Sequence, residues 1–309
     1  MTWGHRELNT SQPLVQCLYR RPTTGSLSRQ VSSVGVRFKL LRYYSMDAIR
    51  LAAAYFLVAT VSQAWHDPVH ALITRAAIES LPMEMRQFWG TETDPLVARY
   101  CLYPDEYHNA SADRRAVMQP YCEVKGRAIH NVTWTRGEDI ESLEYLLSRL
   151  VKTIQSRNIK AAAQYAGTIA HMLEDSTCPA HALSPNDSPL STMRELLPPP
   201  MDKEDIQLHT VIERSAPEFN LGSRTPRSAG ANITEAAASL LDRTYKAIKS
   251  NRADLIELVR ATYADDVQGI DKFRHKASVV GAELLADAYY TAFVLAKGAT
   301  AQAHHQSTR

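Results

Sequence analysis

Tyr165-Ala-Gly-Thr-Ile-Ala-His171-Met-Leu-Glu-Asp175-Ser-Thr-Cys-Pro179-Ala-His181 is the stretch around which the rest of the chain makes sense. Together with the residues from Ile159 it has helical character, and its small residues Ala161, Ala162, Ala163, Ala166, Gly167 and Ala170 would let a neighbouring element approach closely. His171 and Asp175 are four positions apart, which on a helix places imidazole and carboxylate on one face, able to grip one cation. Pro179 then forces the chain out of the helix. That exit lets His181 swing back toward the same cluster or toward a second ion beside it. Cys178 lies inside the motif, but no base is spaced to activate it as a nucleophile.

On either side, apolar residues recur at helical spacing. Trp65-His-Asp-Pro-Val-His70 leads into a helix over 71–78 that ends near Leu81-Pro82, so His70 lies at a helix start. Further helical patterns run from Met83 to Trp89 and from Pro95 to Leu102. Tyr103-Pro104-Asp105-Glu106-Tyr107 opens a polar stretch, expected to be irregular as far as Trp134, that carries Asp105 and His130. Ile140, Leu143, Leu146, Leu147, Leu150 and Ile154 give a core-facing stripe to a helix over 138–157. After a proline-rich loop, Ser184 to Pro200, a helix over 203–214 repeats the four-residue spacing with His209 and Glu213. Two long helices, 234–263 and 267–295, complete the chain, with a frayed tail expected from Ala301. No alternating strand and no internal repeat stands out, so the chain is expected to be all-α.

The 309 residues are 45% hydrophobic and 22% charged, enough for a sizeable core. A net charge of +2 supplies no bulk electrostatic case for a nucleic-acid or membrane partner. The four cysteines, at 17, 101, 122 and 178, form no Cys-x-x-Cys pair, so histidines and carboxylates are expected to do any metal binding. Residues 1–45 carry seven Arg or Lys against the single acid Glu7 and look like a presequence or a misassigned start. From Met46 a second pattern begins: Arg50, an apolar run from Leu51 to Val61, then Ser62-Gln63-Ala64. The run is too short to span a bilayer comfortably, and small residues at the right places fit cleavage after Ala64. Residues 46–64 are therefore read as a signal peptide, 65–309 as one secreted or extracytoplasmic domain beginning at Trp65. In that compartment Cys101 and Cys122 can pair. Asn109-Ala-Ser, Asn131-Val-Thr and Asn232-Ile-Thr are glycosylation sequons for a eukaryotic source.

Taken in order, Trp65, His70, Asp105, His130, His171, Asp175, His181, His209 and Glu213 resemble the ligand series of the zinc-dependent phospholipase C family and of its relatives, the single-strand-specific zinc nucleases. The resemblance covers Trp65 to Glu213, with a weaker helical match beyond. It implies a single multi-helix domain, monomeric, holding three Zn²⁺ ions. Asp105, His130, His171 and Asp175 would hold the first zinc; His181, His209 and Glu213 the second. The third would sit on His70, the other oxygen of Asp175, and the free amino group and carbonyl of Trp65, which exists as a terminus only after cleavage. The implied activity is metal-dependent hydrolysis of a phosphodiester, with Asp105 as the carboxylate that orients or deprotonates the attacking water.

Three positions bear on the substrate. Glu213 in the closing pair is the form similar to the phospholipases, where the nucleases have Asp. Glu106 follows Asp105 where choline-preferring phospholipases have Tyr, leaving an acid able to attract a cationic head group. Asn131 follows His130 where the nucleases have an aromatic that stacks a base. A phospholipid substrate met at a membrane surface is favoured, with single-stranded nucleic acid as the alternative. A non-catalytic helical binding module braced by metal is the third reading.

Overall fold

The structure, a computed structural model, describes Trp65, residues 67–182 and residues 211–307, the last nine by backbone alone. The readings of a presequence, a signal peptide, the proline-rich loop, Cys17 and His209 lie outside the described residues. All that is described belongs to one compact unit, Thr60–Arg309.

Local chemistry explains where the helices begin and end. Helix α1 (Asp67–Glu79) starts on an acid and a proline, both favoured in a first turn. Pro82 opens α2 (Met83–Trp89), and Gly90, at φ +51°, closes it. A 3-10 turn (Gly90–Glu92), α3 (Thr93–Ala98) and a second 3-10 turn (Tyr100–Leu102) follow.

The stretch expected to be irregular is instead mostly helical. Pro104 falls in the first turn of α4 (Tyr103–Asn109), where its missing N–H costs nothing, and Asp105 and Glu106 suit the positive end of the helix. Ser111 caps α5 (Ala112–Cys122) by accepting the Arg114 N–H. Strands β1 (Glu123–Val124) and β2 (Arg127–Ala128) pair antiparallel around Lys125-Gly126, whose φ angles of +49° and +78° are those of a tight hairpin turn. Strands of two residues are too short to print an alternation in the sequence.

The long helices make the core. Helix α6 (Arg136–Gln155) buries Leu143, Leu146, Leu147 and Leu150 completely; each contributes about 1.5–3 kcal/mol of apolar transfer. Helix α7 (Ile159–Thr177) begins at the Asn158 cap and is buried on every side from Ala162 to Thr177. Its small residues do admit a neighbour: a Cβ on Gly167 would overlap the backbone of Tyr100, so only glycine lets the second 3-10 turn lie against α7. A 3-10 turn (Pro179–His181) ends the motif.

Helices α8 (Ile233–Tyr263) and α9 (Val267–Ser307) pack on each other, and both pack on α6 and α7. The backbone of α9 stays helical to Ser307, beyond the expected fraying point. Val267–Gly298 is long and apolar enough to cross a membrane, yet 67% of its apolar window is buried inside the fold, as in a core helix.

The all-α expectation holds, with one small hairpin added. The cysteine pair does not form. Cys101 Sγ donates to the Val97 carbonyl, Cys122 Sγ lies 4.0 Å from Thr168 Oγ1, and both thiols are free and buried.

Candidate metal centre

Helix α7 carries His171 and Asp175 on one face, both fully buried. Around them gather His70 from α1, Asp105 from α4 and His130 from the segment after β2. Asp175 Oδ2 lies 3.1 Å from His130 Nε2 and 3.1 Å from His171 Nε2, while its Oδ1 lies 3.4 Å from His70 Nε2. Asp105 Oδ1 is 3.0 Å from His130 Nε2 and 3.6 Å from His171 Nε2. One carboxylate thus faces different imidazoles with its two oxygens.

The tautomers sharpen this picture. His171 Nδ1 is 2.7 Å from the Cys101 carbonyl, which only accepts, so Nδ1 carries a proton. His70 Nδ1 is 2.6 Å from Glu174 Oε2, and the other oxygen of that buried carboxylate accepts from Thr74 Oγ1 at 2.6 Å. In the neutral rings, each Nε2 then presents a lone pair to a carboxylate oxygen. Two such groups repel unless a proton or a metal cation sits between them. His70 Nε2, His171 Nε2, Asp105 Oδ2 and both oxygens of Asp175 are indeed buried with no hydrogen-bond partner. The donor set fits a divalent cation: orphaned imidazole and carboxylate atoms converge, and His70 and His171 are each oriented by a partner on the far nitrogen.

A further group lies past the end of α7. His181 Nε2 is 3.1 Å from Glu213 Oε1, and His181 Nδ1 lies 3.4 Å from the Asn131 amide. Donor atoms of Cys178, His181 and Glu213 all fall within 4.8 Å of one another. The same holds for His70, Asp105 and His171, and for His130, His171 and Asp175. These buried groups can bind metal ions.

Electrostatics follow from burial and crowding. Burial alone would lower His130, but its hydrogen bond to Asp105 and the nearby Asp175 carboxylate outweigh that and hold it up at about 10. His70 is likewise opposed by burial yet raised, by Glu174 above all. Burial works to raise Asp175, and the flanking His171 and His130 nevertheless keep it well below the usual carboxylate range. Glu213 is pushed up to about 11 by burial and then by Asp175 and Asp105. Burial lowers His181. The Cys178 thiol is pushed up by burial and by the Glu213 charge.

Of the nine ligand positions expected from sequence, His70, Asp105, His130, His171 and Asp175 come together, and His181 meets Glu213. Trp65 is fully buried, and its indole N–H donates to the Glu174 carbonyl at 3.0 Å, one residue before Asp175 in the chain. Sequence reasoning missed Glu174, Thr74 and the Cys101 carbonyl, which orient the histidines. Glu106, the acid expected to attract a cationic head group, pairs with Arg114 at 2.7 Å. Both line a cavity of about 300 Å³ that reaches Asp105.

No family model, no curated protein and no solved structure matches this chain.

Proposed function

We propose that the chain is a zinc-dependent hydrolase of phosphodiester bonds, acting outside the cytoplasm on phospholipid head groups in the manner of the zinc-dependent phospholipases C. The observation that carries this reading is Asp175, whose two buried oxygens turn to separate imidazoles with no hydrogen-bond partner, the arrangement of a carboxylate that bridges two cations. Imidazole and carboxylate donors in buried groups of three favour Zn²⁺, and incomplete protein coordination favours catalysis over bracing. Bound divalent cations would neutralise the phosphodiester, stabilise its transition state and supply a nucleophilic water near neutral pH.

The residues divide the remaining tasks. Asp105 is held through Oδ1 by His130, while Oδ2 is buried without a partner, an oxygen fit to orient the attacking water and take its proton. Glu174 and the Cys101 carbonyl hold His70 and His171 in the tautomer that leaves Nε2 as donor. The Glu106–Arg114 pair presents both signs of charge to a head group at the adjoining cavity. Asn131 offers no ring on which to stack a base, which favours lipid over single-stranded nucleic acid.

The test compares the full chain with the chain beginning at Trp65. Each is loaded with zinc and assayed on phosphatidylcholine, phosphatidylethanolamine and single-stranded DNA. Lipid hydrolysis abolished by a chelator, with helicity retained, is expected, and the Trp65 form should be the more active. Hydrolysis of DNA alone would replace the phospholipase with a nuclease. Zinc binding with no hydrolysis of any substrate would replace the enzyme with a metal-braced binding module.

A further inference from the structure

Cys178, Pro179, Ala180 and His181 make a tight turn directly after α7. The His181 N–H closes that turn on the Cys178 carbonyl at 3.0 Å. Beside the sulfur stand His181 and Glu213, whose donor atoms fall within 4.8 Å of it and of each other. Cys178 is fully buried and Glu213 nearly so.

The other described cysteines behave differently. Cys101 donates into its own helical turn and Cys122 lies beside a threonine hydroxyl. Cys178 alone faces an imidazole and a carboxylate. A cysteine that merely filled the apolar cluster of Trp65, Ile73 and Ile212 would need neither.

We infer that Cys178 is a thiolate ligand and that Cys178, His181 and Glu213 together hold one divalent cation of borderline or soft character in a mixed sulfur, nitrogen and oxygen site. This rests on the metal-dependent reading above and changes its chemistry at one ion. Binding breaks the S–H bond, forms the sulfur–metal bond and releases the proton to solvent. Sulfur in the donor set selects zinc, cobalt or cadmium over magnesium, calcium or manganese. Because the thiolate occupies a coordination position, this ion is the more closed one, and the cluster at Asp175 keeps the open positions.

The test titrates the full chain with Co²⁺ and records its absorption. A thiolate-to-cobalt charge-transfer band in the near ultraviolet is expected, lost in Cys178→Ser and kept in Cys101→Ser, while the visible ligand-field bands of the remaining sites persist in both. Bound cobalt without that band in the native chain would overturn the thiolate and leave the metal centre standing. Failure to bind cobalt at all would overturn both. X-ray absorption on the native zinc-loaded chain needs no variant: a sulfur shell at about 2.3 Å is expected, and a shell of nitrogen and oxygen only would refute the inference.

Discussion

The cluster at Asp175 and the group at Cys178 share one helix and its exit, yet they are built by different means. At Asp175 all the donors but His130 ride on helices, α1, α4 and α7, and two of the imidazoles are oriented from behind. Glu174 locks His70, the Cys101 carbonyl locks His171, and Gly167 lets the Tyr100–Leu102 turn come close enough to do so. At Cys178 two donors sit in a four-residue turn and the third arrives from residue 213, on a segment held by packing of Ile212 and by hydrogen bonds from Arg274 to the carbonyls of Val211 and Ile212 and to the Ser215 hydroxyl. The proposed bridging role calls for the first kind of construction, because there two cations would share one carboxylate. A single, more enclosed cation would tolerate the second.

Several substitutions would break or sharpen that contrast. The largest effect is expected of Asp175→Asn, which removes the carboxylate facing both imidazole sets. Cation content should fall by two equivalents and hydrolysis by about three orders of magnitude, given several kcal/mol of transition-state charge stabilisation. Near-native turnover in that variant would end the bridging role. His181→Ala should cost only one equivalent, read by elemental analysis, and leave the cations at Asp175 in place; loss of every cation would mean the two groups are not separable.

Glu174→Gln touches no cation in this scheme but loosens His70. Affinity should weaken by about 10–100-fold in a competition with a chelator. An unchanged affinity would remove the orienting carboxylate from the scheme. Gly167→Ala acts one step further back, pushing the Tyr100 backbone off α7. A stability loss of about 1–3 kcal/mol by denaturant unfolding is expected, together with weaker metal binding; a neutral result would show the turn can move without consequence.

The smallest effect concerns protons in chain stripped by a chelator. His130 is held up at about 10 from an unfolded value of 6.5, so its stabilising contribution is complete below pH 6.5 and lost as pH rises through about 10. Glu213, raised to about 11, acts in the same sense, and His181, lowered from 6.5, opposes it only below that pH. The melting temperature of stripped protein should therefore fall between pH 6.5 and 10. In zinc-loaded protein metal affinity grows as ligands shed protons, so the two curves should diverge. Parallel curves would mean that cations and protons do not compete for these atoms.

These contrasts also explain what could be read in advance. Apolar stripes such as Ile140 to Ile154 announce long helices, because a period of 3.6 is unmistakable over about four turns. Helices α4 and α5 were hidden: each is short, Pro104 and Pro120 look like breakers, and polar residues dominate both. The donors were legible by type and spacing, as His171 and Asp175 demonstrate. Their orienting partners were not. Glu174 sits next to Asp175 but a third of a helical turn away, where an acid normally meets solvent, and Cys101 contributes a backbone carbonyl that no side chain reveals. The relation of Cys178 to Glu213 depends on a contact across 35 positions that only folding creates.

The most direct trial is anomalous diffraction at the zinc absorption edge from crystals of the zinc-loaded chain. Two peaks are predicted at Asp175, one between Oδ2 and the rings of His130 and His171, the other between Oδ1 and His70. A map without density at either carboxylate oxygen would contradict the bridging carboxylate and, with it, the proposed hydrolase.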